Sequence, residues 1–282
     1  MSDEEEDENQ GEAEVYPYGE YEGERDENLD RHGWGSALLP NGDIYEGNYS
    51  HGLRMGKGVY YFRNGARYNG EWKKGQKYGV GSFIYPDGTS YNGQWRKDMK
   101  HGYGTYNYGN GDVYEGNWFK NFRHGLGTYT YKNDNVTFYG TWKDGRMDGP
   151  GVLKYPCYCY HGQFEQNLPK GAGCFTFQNV WMQHGYYLNV RDPAFDYVGA
   201  EDLALTETEE VPEFEYRGNP RGIVPIWRAR SVTAFNQDLL PLSPVPLPVK
   251  DSQDTLIDIM EYLEKQYKYT AGESGDVDQN IV

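Results

Sequence analysis

Along most of the chain, residues of one kind return at every second position. In "YNGEWK", Tyr68, Gly70 and Trp72 fall on one face. In the stretch that follows, Gly79, Gly81, Phe83 and Tyr85 share a face, with Val80, Ser82 and Ile84 opposite. Gly102, Gly104, Tyr106 and Tyr108 repeat the arrangement, as do Gly125, Gly127, Tyr129 and Tyr131. A period of two is that of a β-strand. "PNG" at 40–42, "RNG" at 63–65 and "PDG" at 86–88 supply turn residues that tolerate positive φ. The pattern predicts short strands joined by tight turns.

The pattern is also a repeat. Units of the pattern Y-x-G-x-W begin at Tyr45 ("YEGNY"), Tyr68, Tyr91 and Tyr114, each 23 residues after the last. A copy at Tyr21 precedes them, copies at Tyr139 and Tyr160 follow, and a remnant, "HGYYL", lies around Gly185. A 23-residue unit holds two strands of five or six residues and two turns, with no room for a helix. Glycine normally weakens a strand, and aromatic residues normally seek a packed core. Here each answers the other, because a ring can lie across a cross-strand glycine and shield the bare backbone. The expected fold is all-β: an elongated single-layer antiparallel sheet over 21–190, built from seven hairpins and a fragment. Its stability comes from neighbouring units.

Composition supports a thin structure. The chain has 37 Gly and 28 Tyr, with 37% hydrophobic residues, too few aliphatic side chains for a thick core. The net charge of −16 is unevenly spread. Residues 1–30 carry 14 acids and one base, 31–190 carry 11 acids and 18 bases, and 191–282 carry 18 acids and eight bases. A mildly basic middle thus lies between acidic ends. It reads either as solvated charge that keeps a sheet soluble or as a surface for acidic partners. The start, "MSDEEEDENQGEAE", has no basic or apolar region of a signal peptide, and no run of about 18 apolar residues occurs. A soluble, intracellular protein is expected.

Few residues invite chemistry. His32, His101 and His124 share a repeat position that holds Met55, Tyr78, Asp148 and Lys170 elsewhere, so that position reads as structural. Cys157, Cys159 and Cys174 contain no Cys-x-x-Cys pair. A metal site would need a further ligand such as His161 or His184, and small thiols in a sheet are the plainer reading. "GVGSFIYPDG" lacks the ending of a phosphate loop. Basic residues sit singly in separate turns, and Lys73, Lys74 and Lys77 make a thin cluster for a membrane. Nucleic acid and membrane are therefore not expected partners, and no catalytic, cofactor-binding or metal residue is assigned. The aromatic stripe of Tyr68, Trp72, Tyr91, Trp95, Tyr114, Trp118, Tyr139 and Trp142 is the candidate partner-binding surface.

The ends read differently. Residues 1–20 form an acidic, disordered leader. Residues 191–250 are extended, acidic and then Pro-rich, with one apolar island, "IVPIWRARSVTAF" (223–235), able to pair along this sheet's edge or a partner's. "PLSPVPLPV" (241–249) suits polyproline II. Residues 251–269 read as an amphipathic helix with Leu256, Ile259, Met260, Leu263 and Tyr267 on one stripe. Together with Trp227 these are the candidate docking residues of the tail, against this sheet or another chain. A disordered tail, 270–282, completes the expectation.

The motif Y-x-G-x-W…G-x-G at this period resembles the MORN repeat. That resemblance implies a non-enzymatic scaffold that binds peptides, helices or sister chains. The stretch "YGEYEGERDENLDRHGWGSALLPNGDIYEGNYSHGLRMGKGVYYFRNGARYNGEW", behind its acidic leader, further resembles a family of radial spoke head proteins. So does "IVPIWRARSVTAF" after an acidic stretch, although the 251–269 helix departs from that family's pattern. The implied role is a structural subunit of the radial spoke head in the axoneme of motile cilia. Its implied partners are other spoke-head proteins and a second copy across the head. The alternative is a MORN-repeat adaptor elsewhere, recruiting proteins or contacting membrane or cytoskeleton.

Overall fold

The computed structural model describes residues 19–195, 220–244 and 246. Residues 1–18 of the expected leader, the 251–269 helix with Leu256, Ile259, Met260, Leu263 and Tyr267, and the 270–282 tail lie outside the described residues, while Glu20 belongs to the first strand rather than to the leader.

The described residues form one open antiparallel sheet of sixteen strands in chain order. Its first half holds β1 (Glu20–Arg25), β2 (Arg31–Leu38), β3 (Ile44–Ser50), β4 (Leu53–Tyr61), β5 (Arg67–Lys73), β6 (Gln76–Ile84), β7 (Ser90–Arg96) and β8 (Met99–Asn107). Its second half holds β9 (Val113–Phe119), β10 (Phe122–Tyr131), β11 (Val136–Lys143), β12 (Arg146–Lys154), β13 (Tyr158–Glu165), β14 (Leu168–Phe177), β15 (Trp181–Arg191) and β16 (Ile223–Ala234). No α-helix occurs among the described residues, and one 3-10 turn, Gln237–Leu239, follows β16.

Two kinds of turn alternate. Within a unit, two residues at positive φ close the hairpin: Lys74 and Gly75 (52° and 82°), Lys97 and Asp98 (51° and 66°), Lys120 and Asn121 (47° and 72°). Such turns follow the right-handed twist of the strands they join. Between units the loop is longer. The Gly88 N–H donates to the Tyr85 carbonyl at 3.0 Å, the Tyr85 N–H donates to the Thr89 carbonyl at 2.9 Å, and Gly88 lies at φ +85°. Gly42, Gly65 and Gly111 hold the same left-handed place in "PNG", "RNG" and "GNG".

The register explains the Gly-x-Gly pair. Gly70 faces Gly81, but Glu71 faces Tyr78, so two residues of β6 bulge out of the β5–β6 ladder. Gly79, the first glycine of the pair, turns the bulge at φ +61°. The bulge breaks the ladder beside the Glu71 carbonyl, and the Tyr68 hydroxyl donates to that carbonyl at 3.0 Å. Tyr45, Tyr91 and Tyr114 do the same for Asn48, Gln94 and Asn117, at 3.0, 2.9 and 2.9 Å. The second glycine makes room for the ring: a Cβ on Gly81 would run into the Tyr68 ring and hydroxyl. One glycine therefore bends the strand, and the other lets an aromatic ring lie on it.

At the carboxyl end the apolar island pairs with the sheet's own remnant. Tyr187 faces Trp227 and Val190 faces Val224, which makes β16 the last strand. The Trp227 ring covers Gly185, and its Nε1–H donates to Gln183 Oε1 at 3.1 Å. "HGYYL" thus lies in an inner strand, between β14 and β16.

Candidate interaction face

Tyr45, Tyr68, Tyr91 and Tyr114 are fully buried, and Trp72, Trp95, Trp118 and Trp142 are 1–6% exposed. A single sheet reaches such burial by tiling. Tyr68, Tyr91 and Tyr114 each meet the Trp of their own unit and the Trp of the next, edge to face, and Tyr45 meets Tyr49 in its own unit and Trp72 in the next. Tyr68 lies 5.1 Å from Trp72 and 5.4 Å from Trp95, Tyr91 lies 5.1 Å from Trp95 and 5.4 Å from Trp118, and Tyr114 lies 5.2 Å from Trp142. Edge-to-face pairs add about 0.5–1.5 kcal/mol each beyond the area they bury. Every indole N–H also reaches back a strand: Trp95 Nε1 to the Gly81 carbonyl at 3.0 Å, Trp118 to Gly104 at 3.1 Å, Trp142 to Gly127 at 3.1 Å. Seven of the eight predicted stripe residues therefore lie in one continuous ladder.

The eighth does not. Phe138, not Tyr139, faces Tyr129 across β10–β11, and Phe138 is fully buried. Tyr139 lies on the opposite face at 44% exposure. The copy is one residue out of step with the Y-x-G-x-W pattern, so its lone Tyr stands beside the stripe position rather than in it.

A second row was missed. Arg54, Lys77, Lys100 and Arg123 stand two residues before the bulge glycine of successive units, and their cations lie over the indoles. Arg54 Cζ is 4.6 Å from the Trp72 ring, Lys77 Nζ 5.5 Å from Trp95, Lys100 Nζ 4.9 Å from Trp118 and Arg123 Cζ 4.3 Å from Trp142. These residues are inside the aromatic face, not in separate turns as the sequence reading had them. Their heads are served locally. Arg54 and Arg123 donate to the Gly75 and Gly145 carbonyls at 2.8 and 2.6 Å, and Lys77 pairs with Asp98 at 3.4 Å. Burial lowers the Lys77 pKa and pushes that of Lys100 down to about 7. The 23-residue spacing of these basic residues was the signal that could have revealed them.

Buried carboxylates tie the loops to this face. Asp43 accepts from the Tyr60 hydroxyl at 2.6 Å and the Arg63 N–H at 2.8 Å, and Asp112 accepts from Tyr129 at 2.9 Å and the Lys132 N–H at 2.9 Å. Burial alone would raise the Asp43 pKa; its hydrogen bonds outweigh that and hold it below the usual value. Over the buried ladder, Phe62, Tyr85, Tyr108 and Tyr131 remain partly exposed along the loop side. On the opposite face, Trp34, Val80 and Tyr103 are exposed, each the middle residue of a Gly-x-Gly pair.

The cysteines are all free thiols, and burial pushes Cys174 up to about 11. Cys174 faces His161 on one side and His184 on the other. Each imidazole is turned to a threonine hydroxyl instead, His161 to Thr176 at 3.2 Å and His184 to Thr233 at 2.9 Å.

With this geometry in view, the comparisons define the class. The MORN repeat matches residues 45–67, 68–90, 91–113, 114–136, 138–156 and 160–179. A radial spoke head 1 homolog from Cyprinus carpio is 57% identical over 195 residues, 69% of this chain and 89% of the carp protein. Another from Mus musculus is 56% identical over 215 residues, 76% of this chain and 66% of the mouse protein, so the match spans just under two thirds of that relative's length. The chain belongs to the radial spoke head 1 family of MORN-repeat proteins. Among solved structures, the TCP domain of SAS-4 from Drosophila melanogaster, in complex with a proline-rich motif, gives a TM-score of 0.36 at 11% identity, over 54% of this chain and 83% of that one. That likeness is too loose to add to the description of the fold.

Proposed function

We propose that this chain is a structural scaffold subunit of the radial spoke head in motile cilia and flagella, holding neighbouring spoke-head proteins and so supporting control of the beat. The observation that carries the reading is the 57% identity over 89% of a radial spoke head 1 homolog. A sheet of repeated hairpins agrees with it, because such a sheet offers extended surface. The non-enzymatic reading rests on the same family membership.

The buried stripe narrows how partners are held. Tyr68, Trp72, Tyr91, Trp95, Tyr114, Trp118 and Trp142 support the contact surface from beneath, and the partly exposed Phe62, Tyr85, Tyr108 and Tyr131 meet the partner. Trp227, half-buried in the sheet's last hairpin, docks the tail in cis.

The test is localisation with extraction. The chain should be found along axonemes and leave them together with spokes under salt extraction. Recovery in a membrane fraction, or retention on axonemes stripped of spokes, would replace this reading with that of an adaptor outside the spoke.

A further inference from the structure

We infer that the first two hairpins carry a binding site for a divalent transition metal ion, with Asp26, His32 and His51 as its protein ligands. The loop between β1 and β2 fixes the carboxylate. Asp26 Oδ1 accepts from the N–H groups of Asn28 and Asp30, both at 3.0 Å, and the Asp26 N–H closes the loop on the Asp30 carbonyl at 3.0 Å. Oδ2 is left over. It is buried with no hydrogen-bond partner, 3.7 Å from His32 Nδ1, which is buried and without a hydrogen-bond partner as well. The third group arrives from the next hairpin. The Gly52 N–H donates to the Arg31 carbonyl at 2.9 Å, holding the β3–β4 turn against the start of β2. That places the His51 ring 5.3 Å from the His32 ring, edge to face. Ser50 Oγ, 3.0 Å from His51 Nδ1, steadies the ring. One ligand atom from each of the three residues lies within 4.8 Å of the other two.

Two imidazoles and one carboxylate suit Zn²⁺, Co²⁺ or Ni²⁺, whereas Ca²⁺ and Mg²⁺ prefer oxygen alone. The molecule contains its own control. Four units along, His124 Nδ1 lies 3.7 Å from Asp144, again buried with no hydrogen-bond partner, but without a third donor. Asp144 stands in the turn place of His51, held by the same contact, Gly145 N–H to the Arg123 carbonyl at 2.9 Å. A turn ligand facing the strand histidine thus recurs, and among the described residues the added carboxylate of Asp26 is particular to the first two hairpins. A bound ion would clip the β1–β2 loop to the β3–β4 turn. It would brace β1, a six-residue edge strand with a register break after Gly23 and one neighbour in the sheet.

The experiment uses the full-length chain, stripped with a chelator and titrated with Zn²⁺ in excess Mg²⁺, which occupies carboxylate-only sites. Calorimetry counts the ions and hydrogen exchange locates them. The expected result is one Zn²⁺ that slows amide exchange over 25–32 and 50–53 and leaves 122–124 and 144–146 unchanged. His51→Ala removes an exposed turn side chain, and Asp26→Asn keeps the Oδ1 acceptor. Each should weaken Zn²⁺ by roughly tenfold to a hundredfold or more, with the melting of the metal-free chain unchanged. Absence of Zn²⁺ binding overturns the inference. So does protection located at the cysteines or elsewhere, or Zn²⁺ affinity equal in both variants and the parent.

Discussion

The middle of the sheet and its carboxyl third build the same hairpin from different parts. From Tyr45 to Val136 each unit carries a Tyr on the glycines and a cation over the Trp of the next unit. From Phe138 onward single parts change, while Trp142 and Tyr160 keep their places. Phe138 replaces the Tyr, Met147 the cation, Phe164 the Trp, and Leu168 is buried near the next turn. The bulge persists, with Gly149 at φ +116° and Gly171 at φ +70°. What the architecture requires is therefore the backbone device, a bulge glycine and a bare glycine under a ring. The polar decoration of the middle units is one of two ways to fill the face above it.

The largest expected effect is on that shared device. Gly81→Val or Gly104→Val would drive a side chain into the Tyr68 or Tyr91 ring. We expect a loss of about 4 kcal/mol or more, read as a urea midpoint, and Gly151→Val should cost as much because Phe138 lies over it. Lys73→Ala, at the exposed last residue of β5, should stay within about 0.5 kcal/mol. Equal losses would mean that the rings do not rest on glycine.

Trp95→Ala should cost about 3–5 kcal/mol, since the indole is buried and hydrogen-bonded. Phe164→Ala in the apolar third should cost about the same. A partner-capture assay on Trp95→Ala would therefore report unfolding, and the partly exposed Tyr85 and Tyr108 are the better sites for that question.

The middle concentrates the buried hydroxyls, although Tyr160 in the carboxyl third is buried and its pKa raised as well. Burial raises the pKa of Tyr68, Tyr91 and Tyr114 well above the ordinary value near 10. These hydroxyls stay protonated in the fold while the unfolded chain ionises, so their stability contribution is full below pH ~10 and falls above it. Stability should drop steeply from that pH, and Tyr91→Phe with Tyr114→Phe, copying Phe138, should make the slope shallower. An unchanged slope would show that these hydroxyls do not set it.

The smallest effect concerns Lys100, where the middle copies its cation and the carboxyl third has Met147. Burial depresses the Lys100 pKa from 10.5 to about 7, so the unfolded state binds more protons between those values. Stability from this group rises as pH climbs from about 7 toward 10.5. Lys100→Met should raise stability by about 1 kcal/mol near neutrality, an advantage that shrinks toward pH 10. A loss at pH 7 would mean that the ring contacts outweigh the buried charge.

The period of two and the step of 23 made the sheet, its strand order and seven of eight stripe residues legible, because each unit repeats one register. Tyr139 was misplaced where that step slips by a residue, and only the cross-strand partner of Phe138 resolves it. The cations were visible as a column of Arg and Lys, but a strand's charged residues normally face water, and nothing local says that rings will cover them. The pairing of β15 with β16 joins residues more than thirty positions apart and follows from no repeat. His51 was invisible for the same reason: its nearness to Asp26 depends on how two turns meet.

In this sheet each strand pairs only with the strands before and after it in the chain. Length is therefore a free variable. Excising 23 residues from one repeat Tyr to the next, Tyr68 to Tyr91 for example, brings together two surfaces that already fit. The gene can shorten or extend the protein in whole steps, like links taken from a chain, without redesigning either end.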